Sequence, residues 1–251
     1  VTVYDVRAVT TLTDAEPFDL VIVAVKAPGL ESIIPALAPA IGPQTRIVPL
    51  LNGMAHIDAL NEAFPGHVLG GILKIVATLD DDSTIVQMTP LCNLTVGDLY
   101  GEDVNTELVN ALAVNGIALE IVDDIVSRLW EKWAFIAAAG IITCLFRGNI
   151  GDILAAGGQM KIIEAINECE KVAAAAGHPV THAGHEQSLA LLTEPGSAFT
   201  SSLYRDLQHG DPIEAEHIIG DFATRAASLH VSTPLLELAL LQLRTHHQAL
   251  L

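Results

Sequence analysis

Two polar side chains stand where the sequence predicts the ends of buried strands. Lys26 follows the apolar run 20–25, and Asn52 follows a second such run, 46–51. Continuous apolar runs of this length are typical of parallel strands. Ligands of open α/β sheets bind beyond the carboxyl ends of the strands, so both side chains could hold a phosphate or a ribose. A solvated lysine and a tight Asn-Gly turn are the alternatives.

Lys132 opens the most apolar stretch of the chain, since no charged residue follows it until Arg147. The stretch predicts a buried helix that carries the lysine at its polar end. If that end faces a cleft, the ammonium can donate a proton to an alkoxide that forms on a substrate. A lysine that extends along the apolar surface to reach solvent is the alternative.

Hydroxyl and carboxylate side chains gather in the last third of the chain, at Ser201, Ser202, Asp206 and Glu214. They could line a pocket for a polar substrate. A serine helix cap beside a solvated acidic face would use the same residue types.

Two further groups of ionisable residues are not expected to form a metal site or a catalytic site. His178, His182 and His185 have a spacing that could converge on a metal, but glycine and proline interrupt the helix this requires, so no metal site is expected. Glu164 and Glu168, one helical turn apart, are predicted to lie on a solvated surface.

Composition excludes several classes of partner. The 251 residues include 12 lysines and arginines against 30 aspartates and glutamates, a formal charge of −18. Nucleic acids and anionic membranes bind basic surfaces, so neither is expected as a partner. The uncharged apolar run 133–146 is shorter than the ~20 residues of a membrane span and predicts a core helix. Three separated cysteines without a paired motif predict reduced thiols in a cytoplasmic protein.

The chain changes from alternating strands and helices to helices alone near residue 122, which predicts domains at 1–122 and 123–251. The predicted strands are 20–25, 46–51, 68–77, 84–88, 93–96 and 117–122, with helices at 29–40, 57–64 and 102–115. Residues 84–88 and 93–96 have the alternation of antiparallel strands at a sheet edge. The later helices are predicted at 125–145, 149–156, 159–176, 185–192, 214–230 and from 234 onwards. This order indicates an α/β sheet with crossover helices followed by an all-α domain.

Five stretches in this order resemble the ketopantoate reductase (2-dehydropantoate 2-reductase) family. They are residues 18–26, 51–54, 127–132, 201–206 with Glu214, and 231–234. The resemblance implies a Rossmann dinucleotide-binding domain followed by a helical substrate and dimerisation domain. It further implies NADPH-dependent reduction of a 2-oxo acid, with ketopantoate as the first expectation, and a place in pantothenate biosynthesis.

The resemblance also implies roles for individual residues. Lys132 matches the catalytic lysine, which protonates the product oxygen while the nicotinamide supplies hydride. Asn52 matches an asparagine that contacts cofactor and substrate, and Lys26 matches a lysine near the adenosine end of the cofactor. Ser202 matches a substrate-binding serine, and Glu214 a glutamate near the ribose and the reacting centre. The remaining implied site residues are Asn149, for the substrate, and Ala77, for the cofactor.

The first departure from the family pattern concerns the phosphate-binding loop. Family members open with a strand and a GxGxxG loop, whose amides bind pyrophosphate at a helix N-terminus. The paired glycines of this chain, Gly70-Gly71 and Gly157-Gly158, lie elsewhere. We therefore expect an N-terminally incomplete Rossmann domain and a gene product longer than these residues.

The second departure follows Lys132, where the family has asparagines one and two helical turns later and this chain has Ile136 and Gly140. Sites built to hydrogen-bond a hydroxyl tolerate the loss of a partner poorly. Three interpretations remain: a ketopantoate reductase, a reductase of a more apolar 2-oxo acid, and a non-catalytic ligand-binding member of the family. Apolar faces within 162–172 or 235–243 could also join two chains in a homodimer.

Overall fold

The structure is a computed structural model and describes residues 5–12, 16–80, 82, 84–101, 104, 106–210 and 213–249. The chain divides into two compact units, one of Val1–Leu50 with His56–Ile121 and one of Leu51–Ala55 with Val122–Leu251. The first unit contains the strands and the second is helical. The predicted fold class, a Rossmann-type α/β sheet followed by an all-α part, is confirmed.

The strands are β1 (Leu20–Val23), β2 (Arg46–Pro49), β3 (Leu69–Leu79), β4 (Ile85–Asp98) and β5 (Ala118–Ile121). The helices among them are α1 (Leu30–Leu37), which 3₁₀ turns flank, α2 (Ala55–Ala63) and α3 (Thr106–Asn110). The later helices are α4 (Ile125–Phe146), α5 (Ile150–Ala155), α6 (Gln159–Ala175), α7 (His182–Leu192), α8 (Ser202–His209), α9 (Asp221–Ser228) and α10 (Pro234–Gln248). A π-helical turn, Glu216–Gly220, leads directly into α9.

The sheet is parallel at its start and mixed further along. β1 pairs in parallel with β2, and α1 forms the crossover between them. Ile47 and Val68 form a parallel bridge that links β2 to the beginning of β3. β3 is antiparallel to β4, and β4 is parallel to β5. The prediction of edge strands is therefore wrong for β4, which has a neighbour on each side.

The two strands predicted at 84–88 and 93–96 form a single strand in the structure, β4. Its pairing with β3 changes register, because Ile75 pairs with Cys92 whereas Ala77 pairs with Gln87. The irregular stretch lies where the predicted strands 84–88 and 93–96 leave a gap.

Gly71, the second of the paired glycines in β3, lies at a close approach between strands. A Cβ on Gly71 would lie 2.6 Å from the carbonyl oxygen of Pro49 and 2.7 Å from Cγ1 of Val48. Glycine in a strand often marks such a close backbone approach.

The first strand, β1, is only partly buried. Ile22 is 48% exposed, so the prediction of a buried strand is wrong at this residue.

Helix α4 forms the core of the helical unit. Of the described helices it alone is long and apolar enough to cross a membrane, yet 67% of its apolar window is buried inside the protein. Trp133, Ile141 and Ile142 are almost fully buried along it. The prediction of a core helix over the run 133–146 is confirmed.

Glu168 is buried, which corrects the prediction of a solvated side chain. It is 8% exposed, and its carboxylate accepts hydrogen bonds from the backbone N–H groups of Leu235 and Leu236 at 3.1–3.2 Å. These amides belong to the first turn of α10, where a helix lacks internal acceptors and favours a negative charge. Glu164, its neighbour on α6, remains half exposed and pairs with Lys161.

Replacing Glu168 by alanine leaves these two amides without their acceptor and should lower the free energy of unfolding by about 1–3 kcal/mol. The matched change, Glu164→Ala on the same helix, removes a surface ion pair and should cost under about 1 kcal/mol. Chemical denaturation of both variants measures the difference. Equal stabilities would contradict the capping role.

The charge of Glu168 should also make stability depend on pH. Burial raises the pKa of this carboxyl above its ordinary value of 4.5. The group therefore stabilises the fold most below 4.5, and that contribution is lost as the pH rises through the folded-state pKa. Since Glu168→Gln cannot ionise, its unfolding free energy relative to the wild type should increase from pH 4.5 towards neutrality. Denaturation curves across this range test the trend, and a constant difference would contradict it.

Candidate active site

Lys132 begins a stripe along α4 that continues with Ile136 and Gly140, since residues four apart lie on the same helix face. Lys132 and Ile136 are half-buried, and Gly140 is buried. A Cβ on Gly140 would lie 2.8 Å from Cδ1 of Leu203 and 3.4 Å from Cδ1 of Ile219. Neither residue supplies a side-chain amide, and a Cβ at position 140 would require the Leu203 side chain to move. Beyond the lysine, the stripe is apolar.

Trp133 fixes the π-helical turn against α4. Its indole Nε1–H donates a buried hydrogen bond of 3.0 Å to the carbonyl oxygen of Ile218. Its ring packs edge to face on Phe222 of α9, with 4.7 Å between ring centres. Since π-helical turns occur frequently at functional sites, this turn is a place where binding residues can be expected.

Asn52 and Glu214 come together at His217, a residue of the π-helical turn that sequence reasoning missed. The ring of His217 donates a hydrogen bond to the backbone carbonyl of Asn52. Burial lowers the pKa of His217, while the nearby carboxylates of Glu214 and Asp221 act in the opposite direction. The sequence offers one signal, a histidine three residues after Glu214 within a predicted helix.

Ser202 is exposed in the first turn of α8, and its neighbour Ser201 holds that turn on α4. The Ser201 hydroxyl accepts from the backbone N–H of Tyr204 at 3.1 Å and hydrogen-bonds the hydroxyl of Thr143 at 2.6 Å. With the contact between Leu203 and Gly140, two adjacent points on α4 fix the start of α8. This is the capping role considered for the serine pair, and it belongs to Ser201.

Asn149 caps helix α5. Its Oδ1 accepts from the backbone N–H of Asp152 at 2.8 Å, and its Nδ2 donates to the Asp152 carboxylate at 2.8 Å. Both ends of the amide therefore have a local structural partner. Its assignment to substrate binding stays a prediction.

Lys26 and Ala77 belong to the sheet unit. β1 ends at Val23, so the exposed Lys26 stands three residues beyond the strand and opens a 3₁₀ turn. Ala77 is exposed within β3, which continues to Leu79, so it does not end the strand as predicted. Their roles in cofactor binding stay predictions.

The described residues contain no group of three or more histidine, cysteine or acidic side chains that could hold a metal ion. His178 instead hydrogen-bonds Ser127, and His185 pairs with Glu170. Burial raises the pKa of the Cys144 thiol to about 12, which makes it a poor nucleophile at neutral pH.

A Rossmann-like sheet unit, a fold that commonly binds dinucleotides, precedes a helical unit whose core helix carries Lys132. The family model described as ketopantoate reductase PanE/ApbA matches residues 1–101, and the C-terminal model of the same family matches 124–247. The chain belongs to the ketopantoate reductase family, whose enzymes are NAD(P)-dependent oxidoreductases.

Individual relatives agree with this assignment. An uncharacterized oxidoreductase of Bacillus subtilis, YkpB, is 34% identical over 226 residues, which cover 88% of this chain and 74% of the relative. A 2-dehydropantoate 2-reductase of Streptococcus pyogenes is 24% identical over 220 residues, 86% of this chain and 72% of that enzyme. The crystal structure of a 2-dehydropantoate 2-reductase from Methylococcus capsulatus has the same fold, with a TM-score of 0.83 at 24% identity over 96% of this chain and 78% of that one.

Asparagine at position 140 should disrupt the packing of α8 on α4. Because its Cβ would collide with the buried Leu203, Gly140→Asn should lower the free energy of unfolding by about 1–3 kcal/mol. Adding Leu203→Ala makes room, so the double variant should be more stable than the sum of the single changes predicts. Gly148→Asn is the control, since a Cβ there comes no closer than 3.5 Å to a neighbour. Chemical denaturation measures the stability of these three variants and of Leu203→Ala alone. Strict additivity of the two single changes would contradict the collision.

Proposed function

We propose that the protein reduces a 2-oxo acid to the 2-hydroxy acid, with NADPH as cofactor and ketopantoate as substrate. The observation that carries the proposal is the junction of α4 with the π-helical turn: Trp133, next to the half-buried Lys132, bonds Ile218, and the adjacent His217 contacts Asn52 and lies near Glu214. A cation and an amide in the helical unit suit a substrate that carries a carbonyl and a carboxylate, and the Glu214 carboxylate suits the hydroxyl groups of the cofactor's ribose.

Lys132 acts as the general acid in this proposal. The bound cofactor supplies the hydride for C2 of the substrate. The Lys132 ammonium stabilises the negative charge that develops on the carbonyl oxygen and transfers a proton to it. The neutral amine left behind regains its proton from water, so the enzyme returns to its starting state.

The other predicted residues bind and orient. Asn52 contacts both cofactor and substrate, and Ser202 lies in the turn that α4 anchors. Lys26 offers a cation near the carboxyl end of a parallel strand, the edge at which open α/β sheets bind dinucleotides. These features fit a dinucleotide, and the choice of NADPH over NADH is part of the proposal. The remaining proposed contacts are Glu214 and Ala77 to the cofactor and Asn149 to the substrate.

Lys132→Ala should lower kcat by the ~10²–10⁴-fold expected for loss of a general acid. Lys161→Ala removes an exposed lysine of α6 that pairs with Glu164, and should leave kcat unchanged. NADPH oxidation by the product of the complete gene, with ketopantoate as substrate, measures both. An undiminished kcat in Lys132→Ala would exclude the lysine as the acid.

A second candidate is reduction of a 2-oxo acid with an apolar side chain. Ile136 and the closed position at Gly140, beside Leu203 and Ile219, favour this alternative because they offer no hydrogen bond to the hydroxyl of ketopantoate. Steady-state rates with ketopantoate, 4-methyl-2-oxopentanoate and phenylglyoxylate separate the two candidates by their kcat/KM values. Binding of NADPH without turnover of any 2-oxo acid would contradict both, and absence of binding would favour the non-catalytic alternative.

We further propose a cytoplasmic homodimer that acts in pantothenate biosynthesis. Leu238 and Leu241 support the dimer, because they remain 55% and 62% exposed on α10, within the face predicted from the sequence. The face at 162–172 packs inward, since Ile162 and Val172 are fully buried. Light scattering should give twice the mass of one chain, and Leu238→Glu with Leu241→Glu should halve it. A single-chain mass for the wild type would contradict the dimer.

A further inference from the structure

His217 makes contact with the Asn52 loop through both its ring and its backbone. The ring hydrogen-bonds the Asn52 carbonyl. The next residue, Gly53, has a φ of +83°, and a Cβ there would lie 3.0 Å from the His217 carbonyl oxygen and 3.4 Å from its Cδ2. The left-handed turn and the missing Cβ allow the loop to lie directly on the histidine.

The protonation state of the His217 ring determines which group donates this hydrogen bond. Burial lowers the pKa of His217, so the neutral imidazole is the form favoured at neutral pH. A neutral imidazole has a single N–H, and a carbonyl can only accept. That N–H therefore points at Asn52, and the other ring nitrogen is left as an acceptor.

The same turn also holds the helix that carries the proposed acid. Ile218, directly after His217, accepts the indole hydrogen bond of Trp133, and Trp133 directly follows Lys132. Two successive residues of the π-helical turn thus hold the two elements that carry the amide and the ammonium.

We propose that His217 is a positioning residue, which holds the Asn52 loop by its carbonyl and so directs the Asn52 amide towards cofactor and substrate. This inference rests on the proposed function of Asn52. His217, which was not among the predicted site residues, would thus keep Asn52 in a fixed position relative to Lys132.

Steady-state kinetics of His217 variants, with and without the Asn52 side chain, test this positioning role. His217→Leu removes the donor and should lower kcat/KM by about tenfold, the effect of one buried hydrogen bond. His217→Asn and His217→Gln each restore an N–H near one ring-nitrogen position, and at least one of them should recover most of the activity. In an Asn52→Ala background, His217→Leu should cause less than about a twofold further loss. Full additivity of the two losses, or no rescue by either amide, would overturn the proposal.

Amide hydrogen exchange separates failure of this proposal from failure of the proposed function. His217→Leu should raise exchange in residues 51–55 by about tenfold, whether or not ketopantoate is the substrate. His185→Leu, which removes a histidine hydrogen bond to Glu170 elsewhere in the same unit, should leave that segment unchanged. If exchange at 51–55 is the same in the wild type and His217→Leu, the positioning role is wrong even in an active enzyme. If exchange rises while the wild type reduces no 2-oxo acid, the loop contact stands, but its catalytic purpose is overturned with the proposed function.

Discussion

The hydrogen bond from the Trp133 indole to the Ile218 carbonyl joins the core helix to the turn on which the candidate site is built. Ile218 also donates its own N–H to the Glu214 carbonyl at 3.0 Å, so one residue links α4 with the segment that carries Glu214. The neighbouring His217 extends this link to Asn52. This hydrogen bond is buried, so if it were broken, neither the indole N–H nor the Ile218 carbonyl could bond to water instead. The relative positions of ammonium, amide and carboxylate therefore depend on the packing of α4.

α4 forms the core of the helical unit and carries the proposed acid, and its packing limits which side chains can follow Lys132. The helix approaches α8 so closely at Gly140 that a Cβ would collide with Leu203. An asparagine there would require the Leu203 side chain to move. Glycine at this point of the stripe fits the close packing of α4 on α8.

The sequence predicts what depends on local pattern and misses what depends on distant partners. Apolar runs and helical periodicity identify most strands and helices, including the buried α4, and they place Asn149 at the start of α5. The burial of Glu168 depends on amides 67 residues later, and the π-helical turn interrupts a segment whose pattern resembles an ordinary helix. His217 is missed for the same reason, because its partner Asn52 lies far away in sequence. Glycine at position 140 is visible in the sequence, but its close neighbour Leu203 is visible only in the fold.

The most direct test of this account is a crystal structure of the complete gene product with NADP⁺ and pantoate. The account predicts the 2-hydroxyl oxygen of pantoate within hydrogen-bond distance of Lys132 Nζ and the Asn52 amide. It also predicts that the Trp133–Ile218 and His217–Asn52 bonds remain intact. Pantoate bound away from Lys132, or an Asn52 amide directed away from both ligands, would contradict the central claim that α4 and the π-helical turn form the active site.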